Sequence, residues 1–288
     1  MGANRVGFFS DWTIRFSQPS VLNDPFELKP HISKVASASK MRKLARQKFN
    51  ADHPKWGKIT NENLSARYRE AIHKKSKKEK SKRITKAVQN SEEPSVIQAR
   101  PTIANLLEEN IASLCLSETK SDLLMWAHYA GGHQGFVVEF DTTASFFRQL
   151  TLPPHIPFDA LELEAFRAEY GTPRKIDYVP TRPIVVASRL SFNVLLTKSD
   201  HWFYEREWRM LMPPNYADVR YQKEENEPPV FLYKVPASCV TGVIIGCNAS
   251  ELLQQKILDL RFDPATCHIK IQQATIDDVD YKLNFLSI

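Results

Sequence analysis

The segment Trp202-Phe203-Tyr204-Glu205-Arg206-Glu207-Trp208-Arg209-Met210-Leu211 decides how the rest of the chain is read. Aromatic and charged residues fill its first eight positions, and Pro213-Pro214 closes it. Taken as a strand, it places alternate side chains on opposite faces, about 7 Å apart along each face. Arg206, Trp208 and Met210 then share one face, with Trp208 and Met210 as core anchors. Glu205, Glu207, Arg209 and Leu211 share the other. A face with two carboxylates and a guanidinium needs mutual pairing, water or a ligand. Both a solvated, internally paired face and a carboxylate site braced by an arginine satisfy that need.

Outward from this strand, the chain reads as α+β. Trp12-Thr13-Ile14-Arg15-Phe16 alternates as a strand, and Ile111 to Ser117, Phe136 to Asp141, Val230 to Val235, Val240 to Gly246 and Ile269 to Ala274 follow the same habit. Asn23-Asp24-Pro25-Phe26-Glu27 predicts a helix start, with Asp24 as N-cap, Pro25 at the first helical position and Glu27 completing a capping box. Ser121 is placed to cap a short helix that stops at Gly131-Gly132. Ser191 to Ser199 reads as helical and delivers Lys198 just ahead of the opening segment. The expected architecture is one domain over residues 1–288, a central and mostly antiparallel sheet with flanking helices. A basic helical insertion spans 38–92 within it.

The net charge of +6 is concentrated, with seven Lys/Arg among residues 73–83. Such a block suits nucleic acid or another phosphate-rich partner, and equally a solvated helix. No apolar run approaches the roughly 18–20 residues of a membrane span, and no secretory leader follows Met1, so a cytoplasmic protein without membrane contact is expected. Cys115, Cys239, Cys247 and Cys267 form no C-x-x-C pair, which excludes a zinc module and predicts buried free thiols.

Several stretches together resemble one family. They are Thr13-Ile14-Arg15-Phe16-Ser17 before Asn23-Asp24-Pro25-Phe26-Glu27, and Leu124-Met125-Trp126-Ala127-His128-Tyr129-Ala130 before Gly135-Phe136-Val137-Val138-Glu139-Phe140-Asp141. Tyr178, Lys198 and Trp202 through Arg209 follow, with Val243-Ile244-Ile245-Gly246 as a closing motif. In that order they resemble bacterial domain-of-unknown-function family 2971. Met1 to Ser10 is too short for the strand and helix with which that family usually opens. The resemblance implies a bacterial or phage setting and, by association, a toxin or antiviral-defence effector; it implies no particular reaction or protein partner.

Three functions remain open on these residues. The first resembles the ADP-ribosyltransferases, which act on NAD without a metal and use a strand-borne Glu to stabilise a cationic transition state. Here the corresponding catalytic residues are Glu207 or Glu205, with Tyr129 or Trp126 stacking the nicotinamide and Arg15 on the opening strand. His128, near its helix C-terminus, is a further catalytic candidate. Asn23, Asp24, Lys198 and Arg209 are expected to bind substrate, with no resident metal. The second function is a nuclease in which Asp24, Glu27, Glu205 and Glu207 hold Mg²⁺ and Lys198 neutralises phosphate. The third is a non-catalytic module that binds a nucleotide or a protein. Glu139 lies in so apolar a strand that Arg209 or Lys198 is its expected partner.

Overall fold

A computed structural model describes residues 1–34, 94–148, 170–186 and 192–288. The 38–92 insertion, with its 73–83 basic block, lies outside the described residues. In chain order the strands are β1 (Thr13–Phe16), β2 (His31–Lys34), β3 (Ala112–Ser117), β4 (Phe136–Phe140), β5 (Arg174–Lys175), β6 (Asp177–Val179) and β7 (Ile184–Val186). They continue as β8 (Thr197–Ser199), β9 (Glu207–Met212), β10 (Val219–Tyr221), β11 (Val230–Lys234), β12 (Val240–Ile245), β13 (Lys270–Ile276) and β14 (Leu283–Ser287). The α-helices are α1 (Phe8–Asp11), α2 (Pro94–Asn110), α3 (Leu123–Tyr129) and α4 (Glu251–Leu258). The class is α+β.

The chain divides into two compact units. One comprises Met1–Lys29, Leu106–Arg182 and Leu195–Ile288; the other comprises Pro30–Asn105 and Pro183–Val194. Within the second, β2 pairs in parallel with β7, and Ile32, Val96 and Val185 form a small apolar cluster. Among the described residues, no helix is long and apolar enough to cross a membrane.

The larger unit carries four sheets among its described residues, in the orders β1-β11-β10, β14-β13-β12-β4, β3-β9-β5 and β6-β8. Most of their pairings are antiparallel; β12 with β13 and β6 with β8 are parallel. A bridge between Ser17 and Ser113 links the first and third of these sheets. Ile14, Phe16, Ala112, Leu114, Met210 and Met212 enter one buried cluster with β11, β12 and α4. By strand alternation, the opposite face of β1, β3 and β9 carries Arg15, Cys115, Glu207 and Arg209.

Local sequence explains the helices that form. Asp122 Oδ1 accepts from Met125 N–H and caps α3, a role expected of Ser121. The helix ends where Gly131 and Gly132 adopt φ of 59° and 65°, a region that costs glycine little. Ser250 caps α4 by accepting from Leu253 N–H.

Other expectations change. Residues 200–205 form a 3₁₀ helix, Arg206 turns left-handed at φ 46°, and the strand begins only at Glu207. The acidic face is the buried one, while Trp208 is half-exposed and donates from Nε1 to Glu118. Asp24 starts no α-helix: its Oδ1 accepts from Phe26 N–H in a turn, and Leu28 at φ 53° bars helical continuation. Ser191 to Ser199 gives a 3₁₀ turn at Phe192–Leu196 followed by β8. Of the four thiols only Cys239 is buried; Cys115 and Cys267 are exposed.

Met210 has 0% exposure in the main cluster. Met210→Ala is expected to cost about 2–5 kcal/mol in denaturant unfolding. A change within the roughly 0.5 kcal/mol of ordinary surface positions would contradict this placement.

Candidate functional site

Five charged side chains meet at the base of a cavity of about 860 Å³. Lys198 arrives on β8, Glu205 at the end of the 3₁₀ turn, Glu207 and Arg209 on β9, and Glu27 from the turn after Asp24. All are at most 5% exposed. The left-handed Arg206 lets acids on two different elements approach the same cation. Lys198 Nζ lies 2.5 Å from Glu205 Oε2, 3.0 Å from Glu207 Oε2 and 3.5 Å from Glu27 Oε2.

Arg209 braces the cluster from the opposite side. Its Nε and Nη2 donate to Glu207 Oε1 at 2.8 and 2.6 Å, Nη2 also reaches Glu27, and Nη1 donates to the Leu195 carbonyl at 2.9 Å. Tyr178 on β6 fixes the backbone by accepting from Glu207 N–H at 2.8 Å. The parallel register sets Tyr178 opposite Lys198.

Burial opposes every charge here, and pairing decides the outcome. Glu207 is desolvated, yet Arg209 and Lys198 outweigh that effect and hold its carboxyl below the ordinary 4.5. Burial wins at Glu27, whose carboxyl is raised despite Arg209. For Lys198 and Arg209 desolvation is overcome by the surrounding carboxylates, led by Glu207 in both cases, so both are raised and stay cationic.

A hydrogen-bonded chain leads outward from the cluster. Tyr129 hydroxyl donates to Glu205 Oε1 at 2.6 Å, and Asn23 Nδ2 donates to the Tyr129 oxygen at 2.9 Å. Burial and the Glu205 bond both push the Tyr129 phenol up. Asn23, Tyr129, Glu205, Glu207 and Lys198 all line the cavity.

The structure therefore brings Asn23, Tyr129, Lys198, Glu205, Glu207 and Arg209 into one constellation. Arg15 lines the same cavity from β1. His128 is exposed, with its ring near Tyr129 and Tyr204. Asp24 is buried and shapes the turn that presents Glu27. Trp126 is 2% exposed, donates to the Lys120 carbonyl at 2.7 Å and has His133 stacked against it, so its ring serves the core. Glu139 pairs with Lys120 at 3.0 Å, not with Arg209 or Lys198.

Glu27 joins the cluster as an ion-pair partner of Lys198 and Arg209, where the sequence offered it as a helix cap or a Mg²⁺ ligand beside Glu205 and Glu207. Cys115 joins on grounds the sequence did not isolate. Cys115 becomes visible only through register, which sets it opposite Arg209. Its exposure is to the cavity that it lines, where desolvation by the surrounding protein and then the Glu207 charge push its thiol well up. Glu27, Cys115 and Glu207 offer ligand atoms within 4.8 Å of one another. Lys198 and Arg209 already supply positive charge to both carboxylates, so the acids hold together without a metal ion.

The family model described as "Protein of unknown function (DUF2971)" matches residues 125–210. Over those residues the chain is similar to that family. The DUF2971 segment holds Tyr129, Tyr178, Lys198, Glu205, Glu207 and Arg209, whereas Asn23 and Glu27 come from outside it. No curated protein and no solved structure matches the chain.

Arg209→Met should destabilise the fold by about 3–5 kcal/mol, because it leaves Glu27 and Glu207 buried beside an absent cation. Retention of wild-type stability in urea would show that the pairing is dispensable. The two acids also differ in pH dependence. Glu207 binds its proton less readily in the folded state than in the unfolded chain. Its contribution is complete above 4.5 and is lost as pH falls through the lowered folded value. Glu27 has the opposite sign: its contribution is complete below 4.5 and is lost as pH rises through the elevated folded value. Urea unfolding across pH should show Glu207→Gln losing the acid-side slope and Glu27→Gln losing the decline above 4.5.

Proposed function

We propose that the cavity is the active site of a transferase acting on a nucleotide, with NAD as substrate, in the manner of an ADP-ribosyltransferase. One observation carries the reading: Glu205 and Glu207 share the buried Lys198 at the base of a cavity that Tyr129 also lines. Three acids against two bases leave one excess negative charge when all are ionised. When the bond from ribose to nicotinamide breaks, the sugar carbon becomes cationic while nicotinamide departs neutral. A fixed anion at the base of the cavity favours that transition state and needs no reorganisation as charge develops.

The two acids divide the work. Both oxygens of Glu207 are engaged by Arg209 and Lys198, which suits it to positioning. Glu205 Oε1 is held by the Tyr129 phenol, a bond that a ribose hydroxyl can replace. Glu205 is therefore the acid that meets substrate, with Tyr129 and Asn23 beside it at the rim. The 73–83 basic block is proposed to attract a nucleic-acid partner through its phosphates.

A Mg²⁺-dependent nuclease is the competing reading, and the Glu27, Cys115 and Glu207 grouping is what favours it. That reading requires a metal to share the carboxylates with Lys198. The transferase requires only the cations already paired with them.

Chromatographic assay of nicotinamide released from NAD, with EDTA present throughout, separates the two. Release should persist in chelator and fall about 10²–10³-fold in Glu205→Gln, with folding checked by circular dichroism. Cleavage of nucleic acid that requires Mg²⁺, with no nicotinamide released under any condition, would refute the transferase.

A further inference from the structure

We propose that Arg15, together with Arg5, forms a subsite for the diphosphate of a nucleoside-diphosphate ligand; this rests on reading the cavity as a nucleotide site. The argument starts from the polar face of β1, β3 and β9. The Ser17–Ser113 bridge and the Cys115–Arg209 pairing make that face continuous from the first strand to the third. Its two ends carry opposite chemistry. At the β9 end, Lys198 and Arg209 are both committed to carboxylates.

At the β1 end the positive charge is uncommitted. Arg15 Nε is withdrawn from solvent and has no hydrogen-bond partner. Among the described residues, neither Arg15 nor Arg5 forms an ion pair, and Arg5 donates only to the Thr13 carbonyl, at 3.4 Å. Both line the cavity. Lys120 lines it too, but Glu139 at 3.0 Å and Gln272 at 2.9 Å already occupy its ammonium. That pairing also removes Glu139 as a competitor for the arginines.

A guanidinium N–H held out of water without an acceptor, as at Arg15 Nε, is unfavourable until an anion meets it. Its planar fork matches phosphate oxygens, which accept two parallel hydrogen bonds. β9 pairs with β3, and the end of β1 bridges to β3, so about two strand spacings, roughly 10 Å, separate β1 from β9. A lone phosphate would satisfy Arg15 without reaching Glu205. A diphosphate joined to a ribose reaches both ends, with anionic oxygens on the arginines and sugar hydroxyls on the acids. The subsite thus orients the ligand as well as holding it.

Isothermal titration of the full chain with ADP, pyrophosphate, adenosine and a single-stranded oligonucleotide tests the assignment. ADP and pyrophosphate should bind at low salt, and adenosine far more weakly. Arg15→Gln should weaken ADP at least about tenfold. Arg15→Lys, which keeps the charge but loses the fork, should fall between the two and provides a reading should the glutamine variant fail to fold. Equal ADP affinity in wild type and either variant would overturn the subsite. So would binding of the oligonucleotide with none of ADP. The measurement involves no turnover: ADP binding lost by Arg15→Gln stands even when NAD is not cleaved. Conversely, NAD cleavage without ADP binding removes the subsite and leaves the transferase intact.

Discussion

Two buried cations shared among three carboxylates organise the larger unit of this protein. The five groups come from four segments of the chain, yet each is unaffordable without the others, because a single charge removed from water at this depth costs several kcal/mol. Lys198 acts as the common point for Glu27, Glu205 and Glu207. Arg209, at 0% exposure, ties Glu27 and Glu207 to the backbone through the Leu195 carbonyl. Apolar residues of similar volume would stabilise such a position at least as well. A network of this kind therefore specifies geometry more than it adds stability, which is the property an active site requires.

The polarity of one sheet surface extends that constraint across the cavity. Core residues on β1, β3 and β9 fix one face of three strands, and alternation then places charged groups on the other without further instruction. The acids cluster where β8 and the 3₁₀ turn supply Lys198 and Glu205. The arginines lie toward β1, where no acid pairs with them among the described residues. The result is a cavity with an acidic base and a basic wall, each built on strand residues joined by residues from adjoining turns.

Much of this was legible in the sequence where chemistry and periodicity agree. The α+β class followed from alternating runs separated by capped helices, and the joining of Asn23, Tyr129 and Glu205 was approachable because their motifs occur in a recognisable order. What stayed hidden depends on register and local torsion. The E-R-E-W-R spelling reads as one strand, which puts Trp208 inside and the acids outside. Glu207 and Arg209 are buried because Lys198, nine residues before Glu207, and Glu27, far off in the chain, pair with them, and no local pattern announces the Glu27 pairing. Glu27 was grouped with Glu205 and Glu207 only as a metal ligand, its ion pairs with Lys198 and Arg209 hidden behind a credible capping box, and Cys115 was masked by the absence of any partner near it in sequence.

The left-handed Arg206 has a wider consequence for how such sites are found. Two acids separated by one residue on a straight strand stand roughly 7 Å apart and are poor companions for a single ammonium. A joint between a 3₁₀ turn and a strand folds that spacing back on itself. Other chains can therefore carry the same arrangement under a different spelling, with the acids farther apart and the bend supplied by Gly or Asn. Torsion at the hinge residue, not the count of residues between acids, is the trait by which a distant counterpart would be known.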